Sequence, residues 1–497
     1  MGGPAADVRI VGRGFSTPNV HTTRKSVTWE GLAMRQELPG ISHRLINGSV
    51  VPIAYNNLSY QYQPGVELTA TIIKADIGGV GGHVLVHPHV MQEVAAKVFE
   101  KSKGLVASFF VSGAGDDISI NLVHQKGINS GDIHKLCYDA LKDAVPTSRA
   151  LALYGPGQDL PDAGKTKFER TGNVQGAGPS VAELNLDSKH AQSQVIFVWS
   201  DKTDPGSYSI PLWNVYGQIG MQDSEMLAFS NARFGWWIVV QDVELKDAAR
   251  ELGKTPAEVD AMGSGLMMLH SGTDNRVLST VLCDRDRYAI KGIFGTDEHG
   301  QPTRQVVSVS TDKLHNISGK YEGKDDPVML MLAQKDYPAP GEIIRAGWTE
   351  PFLVAGNCRG SHHAVLMPAA LFADTAYSSN PVVTSATVSI DYNTGYIGGM
   401  IDNFFGPAWD FIRQQATMYD LWFHRAHRNF QPKVLGKGAL EYQIGFMEAL
   451  AKANQVRRYF DLSSMTLGQA VRDLQPLTLT MRGGAAPAAQ EGGREID

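Results

Sequence analysis

The spacing of apolar positions predicts an ordered run of elements in the first third of the chain. Residues 67–75 read as a strand, with Leu68, Ile72 and Ile73 apolar, and lead into the glycine-rich stretch Gly78, Gly79, Gly81 and Gly82. Val90, Met91, Val94, Ala95, Val98 and Phe99 then recur at helical steps, which predicts a helix over about 89–103 that Gly104 is placed to stop. Residues 105–111 and 118–123 read as two strands joined by a turn. In the second, Ile118, Ile120 and Leu122 alternate with Ser119 and Asn121. A further helix starts with Asn129 or Ser130 as cap and buries Ile133, Leu136, Cys137, Ala140 and Leu141.

Strand, helix, strand, strand, helix is the opening of a split β-α-β arrangement. Further on, strands are expected near 194–199, 236–243 and 306–310, and helices near 256–266, 407–422 and 441–453. No internal repeat is visible, and residues 483–497, rich in Gly, Ala and charge, are expected to be disordered. The pattern predicts an α+β protein with antiparallel or mixed sheets covered by helices.

Composition narrows the partners. Hydrophobic residues make up 43% of the 497 and charged residues 19%, enough apolar material for one large core. Forty-five Lys and Arg against 51 Asp and Glu give a net charge of −6, so neither nucleic acid nor an anionic membrane is expected as a partner. Cys137, Cys283 and Cys358 stand far apart in no metal spacing, which suits a reducing compartment. No apolar run approaches the roughly 18 residues of a membrane helix, and the first residues lack a secretory apolar stretch, so the cytoplasm is the expected location.

Several carboxylates sit beside glycine or proline, where turns are expected: Asp76 in KADIGG, Asp116 and Asp117 in GAGDDIS, Asp201 and Asp204 in SDKTDPG, Asp325 and Asp326 in GKYEGKDDP. Adjacent carboxylates raise each other's pKa unless a cation neutralises them, and all-oxygen clusters suit magnesium. Each pair taken alone also fits a helix cap or an Asx turn. His83 fits a ligand, a phosphate contact or a structural residue. Lys324 can act as a nucleophile if metal neutralises the aspartates beside it, with Tyr321 as a proton shuttle; otherwise the segment is a solvated turn. A P-loop is excluded because Asp159 stands where a glycine is required, and GxGxxG is excluded by Val84.

In collinear order, IKADIGGVGGHVLVHP, GDDISI, LYGPGQDL, TGNVQGAGPSVAE, SDKTDPGSYSIPLW, SGKYEGKDDPVM and LEYQIG resemble the archaeal-type fructose-1,6-bisphosphate aldolase/phosphatases, from about Thr69 to about Leu450. The resemblance implies a four-layer α-β-β-α sandwich in one catalytic domain over 66–455. An N-terminal extension over 1–65 would precede it and a C-terminal segment over 456–497 would follow. It implies several magnesium ions per site, held by Asp76, His83, Asp116, Asp117, Gln158, Asp201, Asp325 and Asp326. Lys324 falls on the Schiff-base position and Tyr321 on the proton-transfer position. His83, Tyr154, Lys202, Gln334, Arg359 and Tyr442 fall on substrate positions. The activity implied is condensation of dihydroxyacetone phosphate with glyceraldehyde 3-phosphate followed by hydrolysis of the C1 phosphate, a gluconeogenic sequence run by a homo-octamer.

Two segments depart from the family pattern. GSHHAVLMP replaces GSHNGPLMP, placing His363, Ala364 and Val365 at the expected pocket edge, and SSNP (378–381) replaces FDGP. The rival expectation is therefore an aldolase or phosphatase acting on another phosphorylated sugar, in specialised metabolism.

Overall fold

The computed structural model describes residues 54–160, 178–217, 234–243, 265–310, 326–369 and 381–405 with brief interruptions, together with a hairpin at 43–52 and isolated neighbours. Two sheets dominate it. The smaller contains β1 (Tyr55–Asn56), β2 (Thr69–Asp76), β3 (Ser108–Ala114), β4 (Asp117–His124) and β5 (Ser180–Asn185), in the spatial order β1-β3-β4-β2-β5 with every pairing antiparallel.

The larger contains β6 (Gln192–Asp201), β7 (Trp236–Asp242), β8 (Leu266–His270), β9 (Tyr288–Thr296), β10 (Pro302–Val309), β11 (Val328–Ala333), β12 (Val365–Leu366), β13 (Val382–Asp391) and β14 (Ile397–Asp402). Its path runs β8-β7-β9-β10-β11-β6-β13-β12, with β14 also on β13; only the β12–β13 pairing is parallel. The protein is α+β, as the periodicity predicts.

Strand alternation decides what each side of the small sheet meets. Ala70 and Ile72, Phe110, and Val123 share a core with the large sheet. Their neighbours Ile73 and Ala75, Phe109 and Val111, and Ile118, Ile120 and Leu122 pack instead with helices α1 (Pro88–Lys101) and α2 (Gly131–Ala150). Between the sheets Phe110 meets Phe197 and Trp199 edge-on, at centroid distances of 5.3 and 6.1 Å, and the Trp199 indole N–H donates to Asn121 Oδ1 at 2.9 Å. Leu278 and Leu282 of α3 (Asn275–Leu282) and Ile343, Ile344 and Trp348 of α4 (Pro340–Trp348) join the same core.

Several boundaries shift from the sequence expectation. The first strand extends to Asp76, the third begins at Asp117 and β6 runs on to Asp201, so these three carboxylates are strand ends, not turn residues. Leu266, expected to end a helix, begins β8 instead. The remainder of that expected helix, and those at 407–422 and 441–453, lie outside the described residues apart from isolated positions.

The residues before 67 contribute to the packing. Tyr55 and Asn56 add a short edge strand opposite Phe109 and Ser108, and the Tyr55 ring stacks on Phe109 at 4.8 Å. Asn56 exchanges hydrogen bonds with the backbone of Ile397, donating from Nδ2 at 3.1 Å and accepting at Oδ1 at 2.9 Å, which ties this edge to β14.

Under α2 lies a second polar group, away from the carboxylates. His124 Nδ1 accepts from the Lys126 N–H at 3.1 Å, so Nε2 carries the proton toward Thr71 Oγ1 at 2.8 Å; Glu183 Oε1 accepts from Thr71 at 3.3 Å and lies 3.0 Å from His134 Nε2. Burial pulls the His124 pKa down to about 4, against the pull of Glu183. A histidine depressed in the fold takes up its proton more readily when unfolded, so its contribution is complete above about pH 6.5 and shrinks as pH falls toward 4. Between pH 7.5 and 4.5 the wild type is expected to lose about 2–3 kcal/mol more than His124→Gln, measured by urea unfolding at the two pH values.

Candidate metal centre

The carboxylates converge at one end of the space between the sheets. Asp76 closes β2 and stands opposite Asp117, which opens β4. β3 and β4 are joined by the two residues Gly115 and Asp116, and this hairpin tip reaches the end of β6, where the Asp116 N–H donates to Asp201 Oδ2 at 3.3 Å. Gly115 has φ 57°, and a Cβ built there would collide with the Asp201 carboxylate. Asp326, just before β11, is tied in by two backbone links: its N–H donates to Thr203 O at 2.6 Å, and its Oδ1 accepts from the Thr203 N–H at 2.8 Å. One oxygen each from Asp117, Asp201 and Asp326 lies within 4.8 Å of the others.

Two lysines enter the group. Lys74 ion-pairs with Asp117, and Lys202 pairs with Asp201 and, at 3.0 Å, with Asp116. Both ammonium groups are pushed upward: burial would lower them, but Asp117, Asp326 and Asp201 outweigh it at Lys74, and Asp201 and Asp116 do so at Lys202. Asp76, Asp117 and Asp201 are held above the ordinary carboxylate range. Burial is the main cause at Asp76, with Asp116, Asp117 and Asp159 adding to it. Asp117 is raised by burial and by Asp201 and Asp326 against Lys74; Asp201 is raised by burial and by Asp116 against Lys202. Among the described residues, six carboxylates (Asp76, Asp116, Asp117, Asp159, Asp201, Asp326) face two lysines, so the centre carries excess negative charge.

That imbalance fits a divalent cation. The donors are hard oxygens, and the 4.8 Å spread of the trio is comparable with the roughly 4.2 Å span across an octahedral magnesium shell. Gln158 joins the group from the side of Asp76. Its Nε2 donates to Asp76 Oδ2, while its buried Oε1, beside Gly155, has no hydrogen-bond partner among the described residues.

Of the residues expected at the site, Asp76, Asp116, Asp117, Gln158, Asp201, Lys202 and Asp326 are brought together. Tyr154 lies beside them through a backbone bridge to Gly79, whose N–H donates to Tyr154 O at 2.9 Å, and its side chain is open to solvent. His83, Tyr321, Lys324, Asp325, Gln334, Arg359 and Tyr442 lie outside the described residues. Val365, expected at a pocket edge, is a buried residue of β12 paired with Val382.

Two residues at the centre escape the sequence reading. Asp159 holds the chain at Asp76, accepting its N–H at Oδ2 at 2.8 Å. Lys74 is the other. It shares a face with Asp76 two residues on and lies diagonally across the strand pair from Asp117, a spacing that KAD paired with DDISI contains.

A sequence model of the family described as fructose-1,6-bisphosphatase matches residues 67–456. The fructose-1,6-bisphosphate aldolase/phosphatase of Cenarchaeum symbiosum is 32% identical over 387 residues, covering 77% of this chain and 92% of that protein. The enzyme of the same name from Pyrobaculum neutrophilum is 32% identical over 389 residues, covering 76% and 90%, and that from Thermus thermophilus 33% over 357 residues, covering 71% and 89%. With the matched span containing every carboxylate of the centre, the chain belongs to the fructose-1,6-bisphosphate aldolase/phosphatase family.

Proposed function

We propose that the chain is a magnesium-dependent bifunctional enzyme. It condenses dihydroxyacetone phosphate with glyceraldehyde 3-phosphate and hydrolyses the C1 phosphate of the product to give fructose 6-phosphate. The observation that carries this reading is the meeting of Asp117, Asp201 and Asp326 from three distant parts of a chain in this family. Asp76, Asp116, Gln158 and, by resemblance, His83 and Asp325 complete the metal-holding set. Magnesium, when bound, supplies Lewis acidity toward a phosphoryl oxygen and acidifies water. Lys202, fixed between Asp116 and Asp201 and slightly open to solvent, presents a point charge to a phosphate oxygen.

Lys324 stands two residues before Asp326 in the sequence. Its neutral amine attacks the ketone carbon of dihydroxyacetone phosphate, and water leaves as the imine forms. Tyr321 moves the proton as the adjacent carbon attacks the aldehyde, and water then releases the bisphosphate. Arg359 and Gln334 hold the substrate, with the Arg359 guanidinium suited to a terminal phosphate, and Tyr442 serves the hydrolytic state. The same reading carries a catalytic unit over 66–455, several magnesium ions per site, a homo-octamer, and a gluconeogenic role in the cytoplasm.

Lys324→Ala is expected to abolish condensation and borohydride trapping of dihydroxyacetone phosphate, while phosphate release from fructose 1,6-bisphosphate stays within about tenfold of wild type. Equal loss of both activities would remove the lysine from the aldol step. A second reading, turnover of another phosphorylated sugar, draws on His363 and Ala364 in GSHHAVLMP and on SSNP. His363 pairs with Leu353 in the hairpin whose connection contains Arg359, close in sequence to a phosphate-binding position. Poor turnover of fructose 1,6-bisphosphate beside good magnesium binding would favour it.

A further inference from the structure

We infer that Lys74 is a built-in cation of the carboxylate centre, a positioning residue that fixes Asp117 and neutralises part of the centre before any divalent ion arrives. This rests on the reading of Asp117, Asp201 and Asp326 as metal-holding residues.

Lys74 lies inside β2, and its side chain is only 1% exposed. Its Nζ is held by Asp117 Oδ2, with Asp326 and Asp201 as the next charges it feels. Burial removes it from any direct role on a substrate phosphate. Lys202, with 8% of its side chain exposed, remains for that. The two ammonium groups therefore divide the work, one inside the protein and one at the rim.

The charge arithmetic gives the internal lysine a purpose. Asp116, Asp117, Asp201 and Asp326 formally carry four negative charges; Lys202, paired with Asp116 and Asp201, and Lys74 together reduce these to two, the charge that one divalent ion balances. Without Lys74 the three carboxylates of the trio, two of them buried, would face one another with Lys202 as the remaining neighbouring cation among the described residues. With it, one oxygen of Asp117 is committed to the ammonium and the carboxylate is fixed in rotation. Its other oxygen is then preset for a ligand.

The test compares thermal unfolding of the full-length wild type, Lys74→Met and Lys74→Arg in EDTA and in saturating magnesium, with magnesium isotherms by calorimetry. In EDTA, Lys74→Met is expected to melt about 10 °C below wild type, because a buried carboxylate loses its partner. In magnesium the deficit is expected to fall to less than half, since the added ions supply the missing charge, and Lys74→Arg should lie nearer wild type in both conditions. An equal deficit with and without magnesium, alongside an unchanged isotherm, would reduce Lys74 to ordinary packing and overturn the inference.

The wild type alone provides a check if Lys74→Met does not fold. Wild type that unfolds in EDTA at pH 7 would show that the internal cation cannot hold the centre, which also overturns the inference. A wild type with no magnesium-induced shift and no isotherm would instead remove the metal reading beneath it.

Discussion

Asp201→Asn is expected to release phosphate from fructose 1,6-bisphosphate at roughly a thousandth of the wild-type rate, a loss of about 4 kcal/mol of transition-state stabilisation. Asp201 closes β6 and belongs to the carboxylate trio, and it also accepts the Asp116 N–H and the Lys202 ammonium. An amide keeps the shape but removes the charge that a cation needs. Stability is expected to move the other way. In the metal-free protein, burial and Asp116 make an ionised Asp201 unfavourable, so the neutral variant should melt at or above the wild-type temperature in EDTA and show a reduced magnesium-induced rise. Phosphate release within tenfold of wild type, with the magnesium-induced rise intact, would remove Asp201 from the metal set.

Gly115→Ala is expected to lower phosphate release about 100-fold through a single methyl group. Gly115 has φ 57°, which costs an L side chain roughly 1–2 kcal/mol, and the new Cβ would collide with the Asp201 carboxylate. The hairpin tip and the end of β6 therefore cannot keep their distance, and the clash falls on the residue that must be placed most accurately. The calorimetric magnesium isotherm should weaken along with the activity. A variant that melts lower yet binds magnesium as wild type does would show that the tip yields and Asp201 stays in place.

The metal-binding half of the centre was legible because its residues stand in short, unusual strings. Asp76, Asp116, Asp117, Asp201 and Asp326 can be picked out beside glycine or proline without knowing that they meet. Their setting differs from the expected turns for a physical reason. Glycine and proline mark the turns that follow or precede these residues, while Asp76, Asp117 and Asp201 themselves end strands whose side chains are buried on both faces. In such a strand alternation has no polar side to mark it, so Lys74 was invisible among Thr71, Ile72 and Ile73 although it shares its face with Asp76. Asp159 stands out in the sequence where a P-loop would need glycine, and nothing there marks the backbone N–H of Asp76 that it holds. β1, with two residues, is too short for any periodic signal, and the parallel β12–β13 pairing depends on contacts far apart in sequence.

β1 also bears on how the protein should be handled. The family match begins at residue 67, an inviting place to trim a gene for expression. A chain cut there would lack Tyr55 and Asn56 and would leave the outer backbone groups of Ser108 and Phe109 uncovered, next to the apolar run Phe109, Phe110 and Val111. An open, apolar sheet margin invites strand addition from a neighbouring molecule, so the trimmed protein would trade a tidy boundary for poor solubility.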